Sequence, residues 1–328
     1  MITVICPVFN EAAYILSVLN FFTKALPAEK ELILVDGNST DNTCELIENY
    51  ATSHFNIILL HNPDRFVPYA LNKAIKAAKG DIIVRLDAHT DYSPDYFLKI
   101  QETFAKTDAD IVGGPMRIAP GNPIQNAIGH ATSTVFGVGN SSFHFEDYQG
   151  YTDSVYLGAW KTKIFEKTGL FDTTFKRNQD DEFHYRAKSM GFRVYQDPAI
   201  KLYYHPRKTF TLLFKQYYQY GLYKPMVLRK VKSSMNLRHI IPSLFVTYLI
   251  FLPILFFAGL IFMIWPLIIY FIAAIFFSFK SKRSFKEMLL TVMVYFILHI
   301  AYGLGFIAGI AFKADTSASS EKQLIVSN

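Results

Sequence analysis

At 328 residues and 51% hydrophobic side chains, with 30 Phe and 20 Tyr, the chain has ample material for a packed core, which excludes a disordered protein. Its formal charge of +6 is unevenly placed: residues 224–328 carry 11 Lys/Arg against 3 Asp/Glu, and residues 1–223 carry 22 against 24. That split argues against a general nucleic-acid binder and predicts a mildly acidic soluble domain joined to a basic, membrane-associated one.

The first residues, Met1 to Cys6, have no basic n-region and their apolar run stops at Pro7, so they read as a strand rather than a secretory signal. Pro7-Val8-Phe9-Asn10-Glu11 reads as a loop, with Asn10 capping a helix from Glu11 through Phe22. A second strand, 31–35, ends in a turn-rich segment from Asp36 to Thr43, where Asp41 is placed to cap a helix reaching about Thr52. A third strand at 56–60 leads through His61-Asn62-Pro63-Asp64-Arg65 to a helix over 69–78. The next run, Gly80 to His89, holds a β-branched core too short for a helix and reads as a buried strand ending in Asp87 and His89. Cys6 and Cys44 belong to no metal or redox spacing and read as buried thiols in a reducing cytosol.

The order β-α-β-α-β-α-β at this spacing predicts a doubly wound, mostly parallel α/β sheet with right-handed crossovers and a ligand crevice outside the carboxyl ends of its strands. Three polar strand ends then converge: 7–11, 36–41 and 87–89. No G-x-G-x-x-G follows the first strand and no P-loop string occurs, which counts against a dinucleotide site and an NTPase. Asp87 and His89, spaced i, i+2, are competent to hold a divalent cation; on spacing alone a strand followed by a polar turn is the favoured reading.

Beyond His89 a helix is expected from Pro94 to about Thr107 and a strand over 110–113, while 114–150 is rich in Gly, Asn and Ser and reads as a mobile active-site loop. Leu157 to Phe165 gives another tight approach and a helix. The acidic run Gln179-Asp180-Asp181-Glu182 opens a helix ending at Gly191, whose N-terminal field favours an ionised Asp180.

The C-terminal third reads as a membrane region. Residues 210–224, rich in Tyr and Phe, read as an interfacial amphipathic helix with Tyr217, Tyr218, Tyr220 and Tyr223 at headgroup level. From His239 to Phe279 runs an almost uncharged stretch of about forty residues, twice a bilayer span. Interrupted by Pro253 and Gly259, it is assigned two spans near 241–260 and 262–279, with the basic flanks 224–238 and 280–286 in the cytoplasm. A third span, 288–312, contains Gly303, Gly305 and Gly309, and would leave a polar, disordered tail (313–328) outside the cytoplasm. Within it, His299 is either an interhelical hydrogen-bonding group or a headgroup or acceptor contact.

Taken together, Pro7-Val8-Phe9-Asn10-Glu11, Val35 to Thr43, Arg85-Leu86-Asp87-Ala88-His89, Gly113-Gly114, Gly158-Ala159, Gln179 to Glu182 and Gln216 to Gly221 resemble the family 2 glycosyltransferases of the GT-A fold, over essentially the whole chain. The pattern is nearest to membrane-attached exopolysaccharide transferases of the succinoglycan type. The resemblance implies that Asp36 contacts the nucleotide base, usually uracil, and that Asp87 and His89 hold Mn2+ or Mg2+ against the donor diphosphate. It implies that Asp180 takes the proton from the acceptor hydroxyl, with Asp181 and Glu182 as alternative bases.

Pro7, Phe9, Asn10, Glu11, Arg65, Arg85 and Arg207 fall with Asp36 and Asp87 in the nucleotide-sugar site. For Arg65 a solvated loop charge is the competing reading. Gly113, Gly114, Gly158, Ala159, Trp160 and Gln179 fall in the acceptor or sugar pocket. Departures from the family pattern are His89 for a second Asp, Gln179 for Glu and Gly37 for Asp. Gln216-Tyr217-Tyr218-Gln219-Tyr220 stands where processive synthases carry Q-x-x-R-W, so transfer of one sugar per encounter is implied. His144, His184 and His205 lack metal spacing and read as ordinary hydrogen-bonded residues.

The expected domains are a cytoplasmic catalytic domain at 1–209, a basic interfacial linker at 210–238, the membrane region at 239–312 and the tail. The implied partners are a nucleotide-sugar donor, a lipid-linked oligosaccharide or polysaccharide acceptor, the inner cell membrane and other membrane proteins of glycan assembly, with no nucleic acid. The rivals are a non-catalytic sugar-nucleotide binder, disfavoured by Asp87, His89 and Asp180 together, and a nucleotidyltransferase, which would need a Gly-rich basic loop after the first strand.

Overall fold

The computed structural model describes residues 1–279 and 284–311. The expected end of the third span at 312, the tail and most of the basic flank after Phe279 lie outside the described residues.

Alternation within the first strand, β1 (Ile2–Val8), sets the architecture. Ile2, Val4, Cys6 and Val8 enter one apolar cluster and Ile5 enters another on the opposite face, as the two-residue period of a strand dictates. The chain continues through α1 (Ile15–Lys24), β2 (Lys30–Asp36), α2 (Thr43–Ala51), β3 (Ile57–His61), α3 (Val67–Ala77), β4 (Ile82–Arg85), β5 (Thr90–Tyr92) and α4 (Tyr96–Lys106). Next come β6 (Ile111–Gly113), β7 (Met116–Ile118), α5 (Pro123–Thr132), α6 (Val135–Val138), β8 (Gly150–Thr152), β9 (Ala159–Lys161), α7 (Ile164–Thr168), α8 (Gln179–Ser189), β10 (Val194–Gln196) and β11 (Leu202–Tyr204).

Eight strands form one sheet in the order β3-β2-β1-β4-β9-β6-β10-β8. Here β9 runs antiparallel to both β4 and β6, and β8 antiparallel to β10, while the other pairs are parallel. A small second sheet, β5-β11-β7, stands beside it. Helices α1, α2 and α4 cover one face through Leu19, Phe22, Ile47, Phe97 and Ile100; α3, α7 and α8 cover the other through Leu71, Ile75, Ile164 and Phe183. The expected α/β sheet with helices on both faces is the fold observed.

Two local expectations are corrected. The first helix begins at Ile15, not Glu11, because Asn10 has φ +55° and its side chain accepts a hydrogen bond from Thr40 N–H instead of capping a helix. The 114–150 segment is not a structureless loop: it contains β7, α5, α6 and a 3-10 turn. Helix α5 carries a capping box, with Asn122 and Gln125 bonding reciprocally and Pro123 in its first turn. That N-P-x-Q string was the readable signal beneath the Gly, Asn and Ser composition.

The C-terminal third forms α9 (Phe210–Lys230), α10 (Leu237–Phe257), a 3-10 turn leading into α11 (Trp265–Ser278), and α12 (Phe285–Ala311). Among the described residues, three segments are long and apolar enough to cross a membrane: Leu237–Phe257, Ile261–Ser278 and Phe285–Ile310. The turn after α10 is made at Gly259, with φ +81°. Helix α9 is longer than expected and is a packed helix rather than a lone surface one. Tyr223 and Lys224 on it are buried, and it shares a third apolar cluster with α5, α11 and α12 through Leu213, Ala127, Ala274, Val294 and Leu298. His299 bridges helices, its Nδ1 2.8 Å from the Tyr270 hydroxyl and its Nε2 2.9 Å from the Phe136 carbonyl, which is the interhelical role.

Candidate active site

The loops after β1 and β2 are zipped together at the carboxyl edge of the sheet. Asn10 N–H donates to Ser39 Oγ, Thr40 N–H to Asn10 Oδ1 and Glu11 N–H to Thr43 Oγ1, each at 2.8 Å. Asp36, at the end of β2, is buried and its carboxylate accepts the N–H groups of Asn38 and Ser39. The next residue sits tightly: a Cβ at Gly37 would stand 3.1 Å from the Arg65 carbonyl oxygen and 3.4 Å from that of Val8, so a larger residue would need its neighbours to give by a few tenths of an ångström. Arg65 itself has φ +65°.

Asp36, Cys44 and His61 bring ligand atoms within 4.8 Å of one another, the one such trio among the described residues. Burial, together with a hydrogen bond to Asp36, pushes the Cys44 thiol up to about 11. The Cys44 thiol donates to Asp36, whose carboxylate also accepts the Asn38 and Ser39 N–H groups, so the three side chains form a hydrogen-bonded cluster at the end of β2.

Arg85, at the end of β4, organises the crevice. Its Nη1 donates to both oxygens of Asp180 at 2.7 Å, its Nε to Asp87 Oδ1 at 3.1 Å, and its Nη2 lies 3.0 Å from the same oxygen. Burial opposes the charge on this guanidinium, but Asp180 and Asp87 outweigh it and push its pKa further up. Asp87 is also fixed through its backbone: its N–H donates to the Tyr92 hydroxyl at 2.8 Å, which in turn donates to the Asp87 carbonyl at 3.2 Å. Sequence reasoning missed Tyr92, since nothing in the string marks its hydroxyl as returning to the strand end.

His89 Nδ1 lies 3.4 Å from Glu11 Oε1. The hydrogen bond to Glu11, resisted by burial and helped by Asp87, raises the His89 pKa. The raised value means the pair stabilises the fold fully below the ordinary histidine value of about 6.5, and that contribution is lost as pH rises through the folded value. If His89 ligates a divalent cation, coordination needs neutral imidazole, so the half-saturating Mn2+ concentration should fall as pH is raised from 6 to 8, and the dependence should flatten in His89→Asn. A metal titration of activity or nucleotide binding at several pH values checks this.

The three consecutive acids of α8 point three ways. Asp180 faces Arg85 and the strand ends, with Gln179 Nε2 3.4 Å from its carboxylate. Asp181 pairs with Lys224 of α9 at 2.8 Å; burial would raise its pKa, but Lys224 holds it below the usual carboxylate value. Glu182 is fully buried between Arg186, at 2.7 and 2.9 Å, and Lys230, at 2.9 Å. A base must reach its substrate, so this geometry favours Asp180 and gives Asp181 and Glu182 structural work.

Several residues expected in an acceptor pocket have packing roles instead. Trp160 is fully buried against Phe165, Phe171 and Phe183, and Ala159 is a strand residue in the opposite cluster. Gly113 is buried in β6, and a Cβ at Gly114 would collide with the Ile200 carbonyl. Gly158 meets the site only through its carbonyl, which accepts Arg85 N–H at 3.3 Å. Pro7 is paired within β1 against Val35, and Phe9 is partly exposed at the edge. Arg207 is exposed and close enough to His89 to act against its protonation. His184 Nδ1 meets Ser154 Oγ at 2.9 Å, His205 pairs with Asp91 at 2.8 Å, and burial with Arg238 nearby holds His144 down to about 3, all ordinary roles.

A mostly parallel sheet whose strand ends converge on paired acids, with an acidic helix start opposite, defines a GT-A glycosyltransferase fold. Staphylococcus aureus TarS 1–349 shares it, with TM-score 0.52 and 18% identity; the match covers 71% of this chain and 64% of that one. So does the mannosyltransferase PcManGT from Pyrobaculum calidifontis, solved with GDP-Man and Mn2+, with TM-score 0.59 and 18% identity over 94% of this chain and 86% of that one. The chain belongs to glycosyl transferase family 2, whose model matches residues 3–169. It is 28% identical over 242 residues to the succinoglycan biosynthesis protein ExoA of Rhizobium meliloti (strain 1021), 73% of each chain. It is 32% identical over 239 residues to a dolichyl N-acetyl-α-D-glucosaminyl phosphate 3-β-D-2,3-diacetamido-2,3-dideoxy-β-D-glucuronosyltransferase of Methanococcus voltae, 70% of this chain and 74% of that one.

Proposed function

We propose that this family 2 glycosyltransferase transfers a sugar from a UDP-sugar to a lipid-linked or polysaccharide acceptor, with inversion, in the synthesis of an exopolysaccharide or other cell-surface glycan. The observation that carries the reading is Arg85, which ties Asp87 to Asp180 across one crevice. Asp36 and the loop that follows it hold the nucleoside, with Phe9 and Arg65 at its margins. Asp87 and His89 offer one hard oxygen donor and one imidazole, with the Glu11 carboxylate alongside, a set that suits Mn2+ at least as well as Mg2+. When bound there, the cation neutralises charge on the departing diphosphate.

Asp180 receives the acceptor hydroxyl proton as the acceptor oxygen bonds to the anomeric carbon; the carbon–oxygen bond to the diphosphate breaks, and the nucleoside diphosphate leaves with that electron pair. Arg85 holds Asp180 aimed into the crevice, and the carboxylate retains lone pairs beyond the two it gives to Nη1. One base and no required covalent intermediate make direct displacement sufficient, so an α-linked donor gives a β-linked product. Arg207 supplies a further cation beside the diphosphate.

The catalytic domain spans 1–209 on the cytoplasmic face of the inner membrane, and 210–238 links it to the membrane helices. Tethering the enzyme to the surface that carries a lipid-linked acceptor raises their effective concentration. ExoA carries succinoglycan biosynthesis in its name, and TarS has been solved with UDP, which supports the glycan and nucleotide assignments. Incubating the purified full chain with UDP- and GDP-sugars in Mn2+ and in Mg2+ should give metal-dependent release of UDP, and product NMR should show the β-linkage. Absence of turnover with every donor in both metals would overturn the reading.

A further inference from the structure

Helix α12 is apolar enough to cross a bilayer, yet its contacts are those of a helix lying along one. About 40 Å long at 1.5 Å per residue, it is covered on one face by elements of the catalytic body. Gly221 of α9 meets the Tyr302 carbonyl, Gly305 meets that of Tyr218 and Gly309 that of Leu222, contacts so close that no Cβ fits; they also show that α9 and α12 run parallel. Val294, Tyr295 and Leu298 join Ala127 and Ala131 of α5 and Leu213 of α9 in one cluster.

Helix α9 is itself fastened to the catalytic domain by ion pairs, Lys224 with Asp181 and Lys230 with Glu182. A spanning α12 would draw α9 and these charges into hydrocarbon.

The hairpin of α10 and α11 gives the same answer. Tyr248 bonds the Met263 carbonyl and Phe245 stacks on Tyr270, so the two helices run antiparallel, and Arg238 and Ser278 lie at one level. Gly303 packs against the Pro242 carbonyl, Phe296 against Phe245 and Phe271, and His299 bonds Tyr270. If α12 entered the bilayer at Phe285, Gly303 would be about 27 Å deep, while Pro242 is about 6 Å beyond Arg238. The five residues between Phe279 and Phe285 reach at most about 22 Å, short of the roughly 30 Å hydrocarbon core, so α12 starts on the side where α11 ends. It ends there too, since Arg229 of α9 donates to the Ile310 carbonyl.

We propose that the chain crosses the membrane twice, through α10 and α11, and that α12 lies in the plane of the cytoplasmic leaflet as a platform between the lipid and the catalytic domain. This inference rests on the membrane attachment proposed above, not on the reaction. Its lipid contact is the exposed apolar stripe Leu289, Met293, Leu304, Ile307 and Ile310, which recurs at helical spacing beside the rising hairpin. The basic residues Arg229, Lys232 and Arg238 lie where anionic headgroups would be. The third span expected from hydropathy, and a chain end across the membrane, are thereby replaced.

Protease digestion of sealed vesicles holding the full chain, tagged before Met1 and after Asn328, tests the proposal. Two crossings place both tags on one side, so both are cleaved, or both protected, in vesicles of a given orientation. Cleavage of one tag with protection of the other until detergent is added would overturn it. Transfer assayed on the same tagged protein is read separately, so loss of the proposed reaction with both tags on one side leaves the topology standing.

Discussion

Replacing Asp180 by Asn should lower transfer by about 10²–10⁴-fold, the range lost with a positioned general base, while donor binding changes little. Asparagine preserves the side-chain volume and one oxygen for Arg85 Nη1, but it cannot accept the acceptor proton or balance the guanidinium. The control is Asp181→Asn, one residue on, which loses the pair to Lys224 and should lower thermal stability more than turnover of the protein that remains folded. Equal transfer by wild type and Asp180→Asn would show that the base lies elsewhere. Nucleotide binding by calorimetry alongside single-turnover transfer separates the two effects.

Arg85→Met should be the most damaging single change in the crevice. Methionine fills much of the volume but leaves Asp87 and Asp180 facing one another without their shared cation. Removing one partner of a buried pair costs about 3–5 kcal/mol. Because the two carboxylates are 22% and 34% exposed, the lower end of that range is expected. The urea midpoint should fall with an unchanged slope, and Mn2+ should raise the midpoint of the variant by more than it raises that of wild type, since a cation at Asp87 relieves the same repulsion. A midpoint equal to that of wild type would mean that Arg85 does not hold the two acids.

Most of the catalytic fold was legible because its signals are local. The β-branched runs at 32–35 and 82–84, the polar strand ends and the acidic opening of α8 each follow from a few neighbouring residues, and together they located Asp36, Asp87 and Asp180. What was not legible depends on distant contacts. Nothing near Arg85 says that it reaches a carboxylate 95 residues away. Trp160 and Gly114 stand in motif-like strings, yet their neighbours across the sheet make them core. Asn10 looks like a cap until the β2 loop claims its side chain. Hydropathy likewise counts apolar residues without knowing that one face of α12 is covered by protein, the contact on which the two-crossing proposal rests.

The run Asp180-Asp181-Glu182 compresses three jobs into less than one helical turn: the proposed proton transfer, docking of α9 through Lys224, and a buried carboxylate that pairs with Arg186 and Lys230. A genetic screen that scores only the finished glycan would register a substitution at each position as the same null allele. Protein abundance measured in the same strains would sort them, with normal levels for Asp180 variants, reduced levels for Asp181 variants and little protein at all where Glu182 is lost.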